Sequence, residues 1–217
     1  MSIDMSLLLN ATGETLLMVG VSGIVSSLLG LLLGIVLYLS RDKGLGACYW
    51  LYRGLDIFVN MTRSIPFIIL LILLLPITRW LVGTSIGTAA ATVPLSLGAI
   101  PFVARLMETA LLEVPVELID AGLAMGGTVK QILWHIILPE ALSTIIQNVT
   151  VTFVTLVSFS AMAGVVGGGG LGDVAIRYGY QRFDQMVMLE TVVILIVLVQ
   201  CIQWAGDACV RRWGKKS

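Results

Sequence analysis

No charged side chain occurs between Glu14 and Arg41. About 20 helical residues cross the roughly 30 Å hydrocarbon core of a bilayer, so the run from Thr15 to Ser40 is long enough for one full span. Lipid offers no partner to backbone N–H and C=O groups, and a helix is the form that satisfies them within one segment. The rest of the chain repeats this arrangement. A second span is expected over 57–77, where Arg63 and Ser64 interrupt the first half before the apolar run Phe67 to Leu75. A third, over 86–107, is rich in small residues, among them Ala89, Ala90, Ala91, Gly98 and Ala99, which let helices approach closely. A fourth, over 141–166, is closed by the tetraglycine Gly167 to Gly170, and a fifth covers 185–207.

Composition agrees with this reading. Hydrophobic residues make up 58% of the chain and charged residues 12%, against about 25% charge in ordinary globular proteins. The expected fold class is therefore all-α: a polytopic membrane helical bundle of five transmembrane helices in one domain over 1–217. With 13 basic and 13 acidic residues the net charge is zero, so the basic surface that nucleic acid requires is missing. Cys48, Cys201 and Cys209 fit neither a metal-ligand spacing nor a disulfide framework, and they read as small apolar filler. Met1 to Glu14 has no basic n-region, so the first helix is expected to remain in the mature chain.

Five spans place the termini on opposite sides. Arg41, Lys43, Arg53, Arg105, Lys130, Arg211, Arg212, Lys215 and Lys216 fall on one side, and Arg79, Arg177 and Arg182 on the other. Basic residues accumulate in the cytoplasm, so the N-terminus is expected outside, the C-terminus inside, and 108–140 in a cytoplasmic loop. Loops of that length are commonly structured or functional. Pro115 opens a helical pattern in which Leu118, Ala121, Gly122 and Met125 recur at steps of three and four, with Glu117 and Asp120 in its first turns. Gly126 and Gly127 stop it; Thr128 caps a second helix carrying Ile132, Leu133, Ile136 and Ile137, which Pro139 is expected to end. Two short amphipathic helices at a glycine turn suit docking to a cytoplasmic partner, or lying on the headgroups.

Asp120-Ala121-Gly122, then Gly126, then Ile136, Leu138 and Pro139 resembles the cytoplasmic signature of ABC importer permeases, Glu-Ala-Ala, three residues, Gly, nine residues, Ile-x-Leu-Pro. Asp120 and Gly122 depart from that pattern. The resemblance extends to the methionine importer permeases through Thr62 to Leu71, Val82 to Gly87, Leu138 to Leu142 and Gly168 to Gly172. It implies that Glu117, Asp120, Ala121, Gly122, Gly126, Ile136, Leu138 and Pro139 form a coupling helix region that docks on an ATP-binding subunit. It also implies a complex of two copies of this chain, two ATP-binding cassette subunits and an external substrate-binding lipoprotein, in the bacterial cytoplasmic (inner) membrane. ATP and Mg would be bound by the partner ATPase, with no cofactor, metal or catalytic residue in this chain.

The sequence carries no Gly-x-x-x-x-Gly-Lys-Ser/Thr motif, and no lysine follows the glycines at 167–170, so hydrolysis must be supplied elsewhere. An ion-gradient-driven amino-acid carrier is the alternative, weakened because the acids Glu190 and Asp207 sit near span ends. Gly20-Val21-Ser22-Gly23 mimics a serine nucleophile motif, but His135 falls in the cytoplasmic loop and Ser22 near the outer end of the first span.

In the fourth span Thr144, Asn148, Thr152, Thr155, Phe159 and Met162 recur at steps of three and four and share one stripe. The stripe reads equally as the lining of an amino-acid translocation pathway and as polar glue between helices. Arg63 and Ser64 are further pathway candidates, Arg63 alternatively reaching the cytoplasmic interface. Arg177 to Arg182 is expected outside, either as a capture-protein contact or as an interfacial aromatic belt.

Overall fold

A computed structural model describes residues 5–41 and 45–213. Among the described residues the secondary structure is entirely helical: α1 Met5–Ser40, α2 Tyr49–Ser64, α3 Phe67–Val82, α4 Thr88–Leu112, α5 Val116–Ala124, α6 Val129–Ile132, α7 Leu138–Val165, α8 Gly170–Val174 and α9 Gln185–Trp213. Two π-helical turns, Leu133–Ile137 and Ala175–Tyr180, lie between them. Four helical runs are long and apolar enough to cross a membrane, and α2 with α3 makes a fifth if that broken pair counts as one span. Lys43, Lys215 and Lys216, which enter the charge count that orients the chain, lie outside the described residues.

Two expected boundaries differ from the observed ones for a reason involving proline. The second span is not one helix over 57–77, because α2 ends at Ser64 and α3 begins at Phe67. Pro66 has no N–H and drives Ile65 out of the helical region. A new helix starts instead, with Ile69 and Leu70 donating to the Pro66 carbonyl. Pro139, by contrast, does not end the second loop helix. Helical structure runs from Val129 to Val165 as one span of 37 residues, so the fourth span starts well before 141. The π turn accounts for this: the Leu138 N–H reaches back to the Leu133 carbonyl, five residues away, just ahead of the proline. A widened turn relieves the clash that a proline ring makes with the preceding α-turn.

The chain divides into two compact units. The first combines Met1–Ser26, Ile65–Ala99 and Val151–Trp204. Its core joins Met18 and Val19 of α1, Phe67 and Leu71 of α3, Ala91, Leu95 and Ala99 of α4, Leu156, Val157 and Ala163 of α7, and Leu198 of α9. Small residues set the spacing in this unit. A Cβ on Gly98 would come within 3.3 Å of Phe67, and one on Gly164 or Gly172 would overlap the backbone of the other helix, at Asp173 N and Ala161 O.

The second unit combines Ser27–Ser64, Ile100–Thr150 and Ala205–Ser217. Its core gathers Tyr38, Val103, Met107, Ala110, Leu111 and Val114 against Ile132, Leu133, Ile137, Ala141 and Ile145. Gly30 and Gly34 of α1, four residues apart, seat that helix on α4: a Cβ at Gly30 would meet Val103 at 2.5 Å, and one at Gly34 would meet Met107 at 2.7 Å. This is the small-xxx-small contact that brings membrane helices close.

Candidate functional site

The helical hairpin α5–α6 is assembled entirely within the second unit. Pro115 precedes α5, and Glu117 lies in its first turn, where the helix dipole favours an acid. Helix α5 closes through Gly126 in the left-handed conformation (φ 80°) and through a 3.0 Å bond from the Gly127 N–H to the Gly122 carbonyl. A Cβ on Gly127 would sit 2.8 Å from that carbonyl, so the second glycine is a steric necessity. Thr128 then starts α6 with a capping box: its hydroxyl accepts from the Gln131 N–H, and the Gln131 side chain accepts from the Thr128 N–H at 2.9 Å.

The signature residues take distinct positions in this hairpin. Gly122 is buried, and a Cβ there would come within 2.6 Å of Ile136 Cδ1, so the glycine that departs from the family pattern accepts a side chain of this chain itself. Ile136 and Leu138 are half-buried. Glu117, Asp120, Ala121, Gly126 and Pro139 are exposed, as are Val116, Leu118 and Leu123, and Met125 at the tip is 81% exposed. One face of the hairpin therefore anchors through Ile132, Leu133 and Ile137, and the other presents apolar side chains beside two acids. Beneath α5 lies a cavity of about 890 Å³, whose lining includes Tyr38, Arg41, Tyr52, Leu112, Ile119 and Asp120.

Polar side chains fix the end of α4, which leads into this hairpin. Asn148 of α7 donates to the Leu106 carbonyl at 2.9 Å, and Thr144 donates to Glu113 at 3.1 Å. A charged network lies one to two turns earlier on α4. Arg105 bonds Asp56 of α2 through Nη2, Asn60 through the same nitrogen at 3.0 Å, and Glu108 through Nη1 at 2.6 Å. Glu108 is 2% exposed and Arg105 22%. Sequence reasoning missed this network. The available signal was an Arg and a Glu three residues apart at the end of an otherwise apolar span.

The stripe on α7 separates into different roles. Thr144 and Asn148 hold α4. Thr152 is fully buried in this chain. Phe159 stacks on Phe67 with ring centroids 4.1 Å apart, and Thr155 turns its hydroxyl back to the Val151 carbonyl. Met162 is exposed, together with Gln147, Val151, Ser158 and Val165. The open face of α7 is thus turned from the expected stripe toward Ser158, sharing Met162 with it. Arg63 and Ser64 are exposed at the C-terminal end of α2, in the other compact unit from Phe159 and Met162.

Ser22 is fully buried and donates to the Thr92 carbonyl at 3.2 Å, as a small residue at a helix contact. His135 is exposed and bonds the Gln131 carbonyl of its own turn. In the first unit Glu14 accepts from the Gly170 N–H at 2.7 Å and Thr15 from the Leu171 N–H at 2.9 Å, tying α1 to the tetraglycine turn. Arg182 lies 4.5 Å over the Tyr178 ring, and the neighbouring Tyr180 and Phe183 are exposed.

Residues 27–215 match the family described as "Binding-protein-dependent transport system inner membrane component". The chain is 56% identical over 211 residues to the probable D-methionine transport system permease protein MetI of Vibrio cholerae, covering 97% of this chain and 94% of that one. It is 50% identical over 160 residues to the D-methionine transport system permease protein MetI of Escherichia coli K12, covering 74% of each. Among solved structures, a chain of the inward-facing MetNI methionine ABC transporter superposes with a TM-score of 0.96 at 48% identity, covering 99% of this chain and all of that one. A chain of an amino acid ABC transporter crystallised with histidines superposes with a TM-score of 0.78 at 17% identity, a likeness of fold alone.

Proposed function

Since the chain belongs to the family of binding-protein-dependent transport system inner membrane components, we propose that it moves methionine across the inner membrane through a path opened and closed by an ATPase bound at the α5–α6 hairpin. The chain is the permease subunit of an ABC importer: a multi-pass inner-membrane protein that works as a dimer with a separate ATPase and hydrolyses no nucleotide itself. The substrate reading rests on the relatives' names and is carried to this chain by their identity over nearly its whole length.

The observation that carries the mechanism is the hairpin. Its anchored face is continuous with α4 on one side and with α7 on the other, and its free face offers Val116, Leu118, Leu123 and Met125 beside Glu117 and Asp120. When the partner closes on nucleotide it displaces this face. The motion enters α4 across residues 113–115 and α7 through the unbroken run from Val129 to Val165. A rigid shift of helices is one of the established ways in which a local docking event changes access elsewhere. Met162, on the open face of α7, and the half-buried Thr155 line the substrate path, with Ser158 beside them; Phe159 acts through its stack on Phe67. Arg63 and Ser64, exposed where α2 ends, are water-facing pathway residues.

The charge distribution supports an external N-terminus and a cytoplasmic C-terminus. In that orientation the segment around Tyr178, Tyr180 and Phe183 faces outward and receives an external substrate-binding lipoprotein. The test is methionine uptake into proteoliposomes carrying the chain, its ATPase subunits and the binding protein. Uptake should require ATP inside and persist when ion gradients are collapsed. Uptake by the chain alone, driven by an ion gradient, would overturn the assignment.

A further inference from the structure

Ionised side chains within apolar helices are costly and are kept paired. Arg105 and Glu108, three residues apart on α4, already neutralise each other across a 2.6 Å contact. Asp56 is therefore surplus to charge balance, since it leaves the group with two acids against one base. What it adds is a bond between helices. The planar fork of Arg105 points one nitrogen at its own helix and the other at α2, where it bonds both Asp56 and Asn60. Those two are themselves joined, Asn60 donating to Asp56 at 3.1 Å, one turn apart. A guanidinium held at both nitrogens has little rotational freedom, so the contact fixes the position and orientation of α2 along α4. An apolar contact lies beside it: buried Val59 of α2, with Tyr52 and Leu55 of the same helix, meets Ala104 of α4 and Leu33 and Leu37 of α1, and the polar fork adds direction to that packing.

Helix α4 ends at Leu112, and α5 starts at Val116. The network thus grips α2 to the same rigid element that carries the hairpin, while Asn148 and Thr144 grip that element to α7. Helix α2 is amphipathic, with Trp50, Leu51, Phe58 and Met61 exposed on its other side.

We propose that Asp56, Asn60, Arg105 and Glu108 form a transmission linkage that fastens α2 to α4, so that displacement of the hairpin is passed into α2. The four are positioning residues acting through α4. The linkage deepens the transport reading above and rests on it for its purpose.

The experiment uses the full complex in proteoliposomes and compares wild type with Asp56→Asn, Asn60→Ala and Asp56→Glu. The first two leave Glu108 paired with Arg105, so the buried acid keeps its partner. Asp56→Asn should leave ATP hydrolysis within about twofold of wild type and lower uptake per ATP about tenfold, the size of a typical coupling energy. Asp56→Glu should restore most of that ratio, and hydrogen–deuterium exchange over residues 49–64 should quicken in Asp56→Asn and not in Asp56→Glu. An unchanged uptake per ATP in Asp56→Asn, or a parallel loss of uptake and hydrolysis with unaltered exchange in α2, would overturn the linkage. Should Asp56→Asn fail to assemble, the same two readings on Asn60→Ala decide. If the wild-type complex shows no ATP-driven uptake, the transport reading fails by itself. Exchange over 49–64 in the purified chain then decides the linkage: faster exchange in Asp56→Asn supports it, and equal exchange overturns it.

Discussion

The two compact units hold their helices together by different means. In the first, helices meet where side chains are absent: Gly164 and Gly172 bring α7 and α8 to backbone contact, Gly98 receives Phe67, and backbone N–H groups of the glycine turn are held by Glu14 and Thr15. In the second, Gly30 and Gly34 also seat α1 on α4, and Val103, Met107 and Leu111 pack on Ile132, Leu133 and Ile137, but polar side chains add to the grip on α4, through Asp56, Asn60, Asn148 and Thr144. Steric contact between glycines falls off within a fraction of an ångström, and it tolerates no added atom. Hydrogen-bonded charge pairs act over a longer range and carry direction. Among the described residues, the ion pair that joins two helices lies in the unit that bears the hairpin.

The contrast can be broken first where the clash is with backbone. Gly164→Ala or Gly172→Ala places a Cβ against Asp173 N or Ala161 O, and should cost about 3 kcal/mol, seen as a large drop in the melting temperature of the detergent-solubilised chain. A variant that melts with the wild type would show that the first unit does not depend on backbone contact. Next in size, Asp56→Ala removes one partner of Arg105. Breaking a fully buried pair costs 3–5 kcal/mol; both partners here retain 22% exposure, so about 2 kcal/mol is expected from the same melting experiment. Gly126→Val is smaller in stability, about 1–2 kcal/mol, because open space surrounds the position and the cost lies in φ 80° alone. Its larger effect should be functional: uptake assays should show transport uncoupled from hydrolysis. The smallest is Thr128→Ala, which removes the capping box for about 1 kcal/mol and should loosen amide protection over Val129–Ile132 while leaving the global melt nearly unchanged.

Much of this was readable from residue order, and the parts that were not share a physical cause. Uncharged runs located the membrane helices because desolvating charge is a property of each segment taken separately. The hairpin was equally local: Pro115, Gly126, Gly127 and Thr128 act on their own backbone. Pro139 misled because its effect depends on the turn before it, and a π turn at Leu133–Ile137 absorbs a proline that an α turn would not. Periodicity placed Asn148, Thr152, Thr155 and Met162 on one stripe but carries no information about which neighbour faces that stripe, so Thr152 proved buried and Ser158 open. Arg105 and Glu108, three residues apart, signalled half of the charged network, but their partner Asp56 is 49 residues away in sequence and no local pattern connects it to them. Gly30 and Gly34, four residues apart in an apolar span, were legible and overlooked.

The central claim is that α5 and the turn after it carry an ATPase. Placing a photocrosslinker at Met125, the exposed tip of the hairpin, in cells that express the whole transporter measures this directly. The account predicts a crosslinked product containing the nucleotide-binding subunit, with a yield that changes when hydrolysis is blocked. Crosslinks to lipid alone from Met125 and from Glu117 and Asp120, in a complex that still imports methionine, would contradict it.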